Sequence, residues 1–179
     1  AGDYVKFGCV ELAVSCTEGS LLLPNAKNGT FKDVAAASGI KNVGLEGLTV
    51  IDYDHDGDLD RYGSSGGRII VGVVKSGTSA MWRNNGNGTF TNVSTEAGIL
   101  RDAGYGLGVA VADLNGDGRP DIYVSNDVVP NDVMYINNGD GTFTNKRATS
   151  LKHTSIAGMG VDIADFHNDG WPDIAQSHT

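Results

Sequence analysis

The chain has 179 residues, 40% of them hydrophobic, and a formal net charge of −9. That apolar share suffices for a core and excludes a disordered chain, and the negative sign excludes a nucleic-acid binder, which needs clustered Lys and Arg. Gly outnumbers Pro by 26 to 4, a turn-rich balance that predicts an all-β chain, and no apolar run reaches membrane-spanning length.

The chain opens at Ala1 without an initiator Met or a signal peptide, as expected of a processed mature chain or an incomplete record. The stretch Asp3-Tyr-Val-Lys-Phe-Gly-Cys-Val-Glu11 reads as the worn copy of a loop that recurs further on. Cys9 and Cys16 form a candidate disulfide in an oxidising compartment. The strand Glu11 to Thr17 resembles Asp121 to Asp127 and Asp173 to Thr179, so the chain begins and ends at the same phase of a repeat.

That repeat has two landmarks. The first is a turn ending in Gly-Thr-Phe, at Gly29–Phe31, Gly88–Phe90 and Gly141–Phe143. Met81-Trp-Arg-Asn-Asn-Gly-Asn-Gly-Thr-Phe90 matches Met134-Tyr-Ile-Asn-Asn-Gly-Asp-Gly-Thr-Phe143 without a gap, and Leu22 to Phe31 is a looser copy. The second is an acidic nonapeptide, at Asp52–Asp60, Asp113–Asp121 and Asp165–Asp173. Together they divide a single domain, 1–179, into a degenerate loop at 3–11 and repeats near 22–60, 81–121 and 134–173.

Before each acidic loop the sequence alternates in the period of a strand: Leu48–Ile51, Val109–Ala112 and Val161–Ala164. A Gly five residues ahead of each loop, at 47, 108 and 160, predicts a bulge or a close backbone approach. Asn-Gly at 85–86 and 138–139 predicts hairpin turns. The result is about four antiparallel strands per repeat, the size of a propeller blade. Ala35 to Gly39 is expected to make one helical turn, and a Gly- and Ser-rich insertion between Asp60 and Met81 is expected in a loop.

The nonapeptide has the donor chemistry of a calcium site. Calcium takes six to eight oxygens. Positions 1, 3 and 5 aim side-chain oxygens at one centre: Asp52, Asp54 and Asp56 in the first loop, Asp113, Asn115 and Asp117 in the second. Gly at position 6 allows the reversal. Position 7, occupied by Asp58, Arg119 and Trp171, gives its backbone carbonyl, and Asp60, Asp121 and Asp173 close the cage at position 9. The third loop carries Asp165, His167 and Asp169. An imidazole at position 3 suits transition metals better than calcium, so the sequence predicts two calcium sites and a weaker third. An EF-hand needs an acid at position 12, where this chain has Gly63, Val124 and Gln176. No open catalytic position is evident, so the metal is expected to be structural and the chain not to be an enzyme.

The paired motifs, Asn138 to Phe143 with Asp113 to Asp121 and their copies, resemble the FG-GAP family of integrin-α-type β-propeller repeats, above all its secreted, cartilage-acidic-protein-like variants. The resemblance covers nearly the whole chain. It implies a propeller, calcium in the blade loops, an extracellular setting, and adhesion to a protein or glycan ligand. Three periods are too few for a closed propeller of that kind, which implies an incomplete or open-ended array. It is either part of a longer propeller, a unit that self-associates head to tail through its equivalent ends, a ring of several chains, or a compact three-repeat body. Three roles follow: a structural or assembly protein, an adhesion module, or the non-catalytic domain of a secreted enzyme.

Other signals are weaker. Asn28, Asn87 and Asn92 head N-glycosylation sequons. Gly63 to Gly67 fits the Gly-x-Ser-x-Gly pattern of hydrolases, but a strand-like segment follows it where that motif needs a helix. Trp82, Trp171 and the repeated Phe are expected in the core, and His55, His153 and His178 on the surface.

Overall fold

A computed structural model describes residues 22–40, 45–64, 68–70, 73–75, 79–99, 104–127 and 131–178. The worn loop at 3–11, the strand after it and the Cys9–Cys16 pair lie outside the described residues. The fold is all-β, and among the described residues the one helix is α1 (Arg147–Ser150), four residues long.

Two four-stranded antiparallel meanders form its body. The first runs β1 (Gly47–Ile51), β2 (Asp60–Ser64), β5 (Ala80–Asn84), β6 (Phe90–Asn92). The Gly- and Ser-rich insertion adds a small hairpin between β2 and β5, with β3 (Arg68–Ile70) paired to β4 (Val73–Lys75). The second meander runs β7 (Tyr105–Ala112), β8 (Asp121–Asp127), β9 (Val133–Asn137), β10 (Phe143–Asn145). A third unit supplies the inner hairpin alone among the described residues, β11 (Gly158–Ala164) with β12 (Asp173–His178). Among the described residues no sheet closes on itself. This is an incomplete propeller-like array.

The inner strands β1, β7 and β11 lie side by side, β7 between the other two. The glycines ahead of the loops explain how. Bulges fall at Gly106/Gly108 in β7 and Gly158/Gly160 in β11. A side chain at Gly108 would meet the backbone of Gly160 and Val161 at 3.0–3.2 Å, and one at Gly47 would strike Ser64 and Val109. Backbones approach this closely only where no Cβ intervenes.

Outer strands are tied to the preceding repeat by one recurring bond. Phe90 N–H donates to the Ser38 carbonyl at 2.7 Å, and Phe143 N–H to the Ala97 carbonyl at 2.9 Å. Both acceptors lie in the turn that follows the Thr-Phe strand of the unit before; the predicted turn at 35–39 is the first of these, with Ser38 N–H bonded to the Val34 carbonyl. Residues 22–34 repeat the outer-hairpin plan in reduced form: Asn25 bridges Phe31, as Asn84 pairs Phe90 and Asn137 pairs Phe143.

The core fills the space between the two meanders. Ile51, Tyr53, Tyr62 and Met81 from the first pack with Ile122, Val124, Val133, Tyr135 and Phe143 from the second. Trp82 is buried with Ile40 and Ala80, and the Arg61 guanidinium lies 5.5 Å above its ring. A buried polar node joins the second meander to the third unit. Asp132 accepts from Tyr123 Oη–H at 2.7 Å, the Asn126 N–H at 2.8 Å and Gln176 Nε2 at 3.0 Å.

Two core expectations need correction. Trp171 is 56% exposed and Phe31 60%, whereas Phe143 is 5% exposed. Phe143 is buried against Tyr53 of the preceding meander and Tyr135 of its own, and Trp171 stands on a loop rather than a strand.

Candidate metal centres

Each acidic loop joins the two strands of an inner hairpin: β1 to β2, β7 to β8, β11 to β12. Their backbones share one path. The residue at position 4 is left-handed in all three (His55 φ 59, Gly116 φ 74, Asn168 φ 58), and so is the Gly at position 6 (Gly57 φ 90, Gly118 φ 83, Gly170 φ 91). The sequence made the second reversal legible through its invariant Gly; the first was hidden under three residue types.

The N–H at position 2 donates to the carboxylate at position 9 in every copy: Tyr53 to Asp60 at 3.3 Å, Leu114 to Asp121 at 2.8 Å, Phe166 to Asp173 at 3.0 Å. In the two complete meanders a second N–H takes the other oxygen, from Asn84 at 2.7 Å and Asn137 at 2.8 Å. These two Asn were missed as site residues. Their signal was the first Asn of Asn-Asn-Gly in both matched turns.

The loops differ in what positions 1, 3 and 5 do. In the first, Asp52, Asp54 and Asp60 each place an oxygen within 4.8 Å of the others, a cluster that could hold a metal ion. One oxygen each of Asp52 and Asp54 is buried with no hydrogen-bond donor. Burial pushes the Asp60 carboxyl up to about 6; the Asn84 and Tyr53 N–H groups oppose that, and Asp54 and Asp56 add to it. Buried, undonated carboxylate oxygens beside a carboxylate that resists ionising fit a cation, whose charge removes the penalty.

In the second loop the carboxylates turn onto neighbours. Asp113 accepts from the N–H groups of Gly116, Asp117 and Gly118 at 2.7–3.1 Å. Its slight burial would raise its pKa, but these bonds and the Asn115 N–H hold it below the usual range. Asp117 meets the Arg119 guanidinium and takes the Asn115 amide at 2.7 Å. Burial raises the Asp121 pKa against its two N–H donors, with Asp117 and Asp113 adding to the rise. The donor set is still all oxygen, as calcium requires.

The third loop also brings a cluster together, Asp165, His167 and Asp173. Its imidazole points inward. Nδ1 lies 2.7 Å from Asp173 and Nε2 3.0 Å from Asp169. Asp165 is held below its ordinary pKa, first by the Gly170 N–H.

Position 7 does more than offer a carbonyl. Its side chain covers a turn glycine each time: Asp58 over Gly86, Arg119 over Gly139, and Trp171 over Gly116 of the neighbouring loop. The sequon residues Asn28 and Asn87 sit on exposed turns and Asn92 at the exposed end of β6, and each Asn Oδ1 accepts from the N–H and hydroxyl two residues on. Gly63 and Ser64 of the hydrolase-like stretch belong to β2, where Ser64 Oγ–H donates to the Gly106 carbonyl at 2.7 Å; residues 65–67 lie outside the described residues. His55, His153 and His178 are exposed. Among the described residues, no helix is long and apolar enough to cross a membrane.

A family model of the FG-GAP-like repeat matches residues 67–124 and 125–175. Cartilage acidic protein 1 of Xenopus tropicalis is 36% identical over 85 residues, 47% of this chain and 13% of that protein. Its Homo sapiens counterpart is 37% identical over 84 residues, covering 46% and 12%. The Mus musculus protein is 32% identical over 96 residues, covering 53% and 15%. The chain therefore spans 12% to 15% of the length of these relatives. Among solved structures, an Agrocybe aegerita lectin described as recognising non-reducing terminal N-acetylglucosamine aligns with 89% of this chain and 40% of its own, at 23% identity and TM-score 0.46.

Proposed function

This chain belongs to the FG-GAP-like repeat family, and we propose that it is a calcium-binding extracellular β-repeat module in which the cation has a structural role. The observation that carries the reading is the first loop, where Asp52 and Asp54 hold buried oxygens without donors next to Asp60. Asp52, Asp54, Asp56 and Asp60 would hold the ion there, with the Asp58 carbonyl. Asp113, Asn115, Asp117 and Asp121 would do so in the second loop with the Arg119 carbonyl. A bound divalent cation supplies the positive charge that lets these carboxylates ionise together.

The effect is mechanical. Each loop closes an inner hairpin, and the inner hairpins are what neighbouring units pack on. Fixing a loop fixes the angle between its two strands. The extracellular setting draws support from relatives named for cartilage and from the three sequons with exposed Asn residues. Extracellular modules bind calcium at about 10⁻⁴ to 10⁻³ M. At millimolar calcium and a Kd near 0.1 mM, each filled site adds about 1.4 kcal/mol. No catalytic role is assigned.

Calorimetric titration with calcium, paired with thermal unfolding in calcium and in chelator, tests this. Binding heat should appear and the Tm should fall on chelation. An isotherm without calcium heat and a Tm indifferent to chelator would remove the reading.

A further inference from the structure

The carboxylates that close the first and second loops are linked by three hydrogen bonds that run through Tyr53 and Asn137. The Tyr53 N–H donates to Asp60 at 3.3 Å. The Tyr53 carbonyl accepts from Asn137 Nδ2 at 2.8 Å, a bond between residues 84 positions apart. The Asn137 N–H then donates to Asp121 at 2.8 Å. Asp60, Asn137 and Asp121 are fully buried, so water does not compete for these groups.

The amide of Asn137 has one orientation that fits. Its oxygen accepts the Gly139 N–H at 2.9 Å, which leaves Nδ2 to face the two carbonyls of Tyr53 and Pro120. The Tyr53 ring stacks on Phe143 at 5.9 Å, so a side-chain contact reinforces the same junction. Asn84 is the counterpart in the first meander. It gives its N–H to Asp60, accepts the Gly86 N–H at 3.1 Å and donates to the Leu59 carbonyl at 3.1 Å. Among the described residues it bonds to no second loop. It does the local work of Asn137 without the link.

From this we infer that Asn137 is a positioning residue that couples the two metal loops, so that filling either one favours filling the other. The inference rests on the calcium reading above. A cation that fixes Asp60 also restrains the Tyr53 backbone, whose carbonyl holds the Asn137 side chain, and the Asn137 N–H holds Asp121. The second ion then meets a loop already ordered, and the coupling is reciprocal.

The test follows the Gly118 amide by NMR during calcium titration of the full chain at 0.15 M salt, which screens exposed charges beyond about 8 Å. Asp54→Asn disables the first loop. It should weaken the second loop about fivefold, the scale of a modest coupling. In an Asn137→Ala background the same change should leave the second loop unaltered, and in an Asn84→Ala background the fivefold loss should persist. Asn137→Ser, whose hydroxyl can still accept the Gly139 N–H but is too short to reach the Tyr53 carbonyl, serves if the alanine variant does not fold. A second-loop isotherm that ignores Asp54→Asn, or a loss that survives in both Asn137 variants, would overturn the coupling while calcium binding stands. Absence of any calcium-dependent shift in the unmodified chain would overturn both.

Discussion

His167 Nδ1 lies 2.7 Å from the carboxylate of Asp173, inside the third loop rather than turned away from it. The imidazole holds position 3, where the other loops carry Asp54 and Asn115, and its second nitrogen faces Asp169 at 3.0 Å. The loop thus has the backbone of its siblings and a different donor at its centre.

Replacing that donor should restore the oxygen set. His167→Asp is expected to tighten calcium at the third loop by about tenfold, because ligand charge tunes such loops over decades of affinity. In chelator the same variant should be less stable than the parent, since a fourth carboxylate joins Asp165, Asp169 and Asp173 with no cation present. Site-resolved titration at the Gly170 amide and urea unfolding in chelator measure the two effects. Calcium affinity unchanged by the substitution would mean that the imidazole does not limit this loop.

The turn glycines should separate into two classes. Gly118 has φ +83 and open space where a Cβ would go, so Gly118→Ala bears only the left-handed strain, about 1–2 kcal/mol. Gly98 has φ +74, and its Cβ would lie 2.9 Å from the Phe143 carbonyl oxygen. That oxygen belongs to β10 and cannot swing aside. Gly98→Ala should therefore cost more, about 3 kcal/mol once overpacking is added. Chemical denaturation in chelator compares them without metal effects. Equal costs would show that β10 yields.

Identical motif residues should also differ in worth. Phe143 is buried against Tyr53 and Tyr135, with ring centroids 5.9 and 6.2 Å away. Phe143→Ala should destabilise by about 3–5 kcal/mol. Phe31, 60% exposed at the same motif position, should tolerate Ala with a change within about 0.5 kcal/mol. Thermal unfolding of the two variants decides it; comparable losses would mean that Phe31 is covered in solution.

What the sequence determined by itself is local and periodic. Alternation in Val109–Ala112 and Val161–Ala164 marked the inner strands, because side chains of a strand alternate between faces wherever one face is buried. The Asp-x-Asp/Asn-x-Asp-Gly spacing marked the loops, because a tight reversal with many oxygens needs those residues in that order. Gly108 and Gly160 marked close approach, and the sheet places bulges there. Tertiary structure decided which pieces stand together. The sequence repeat runs from an outer hairpin to the next acidic loop, whereas each sheet runs from inner strand to outer strand, so every repeat straddles two blades. No local pattern carries that phase. Nor could it show that Asn137 spans to Tyr53, that Asp117 turns to Arg119, or that His167 faces inward. Those depend on which strand lies beside which, and on burial that arises only when neighbouring units exclude water from the seam between them.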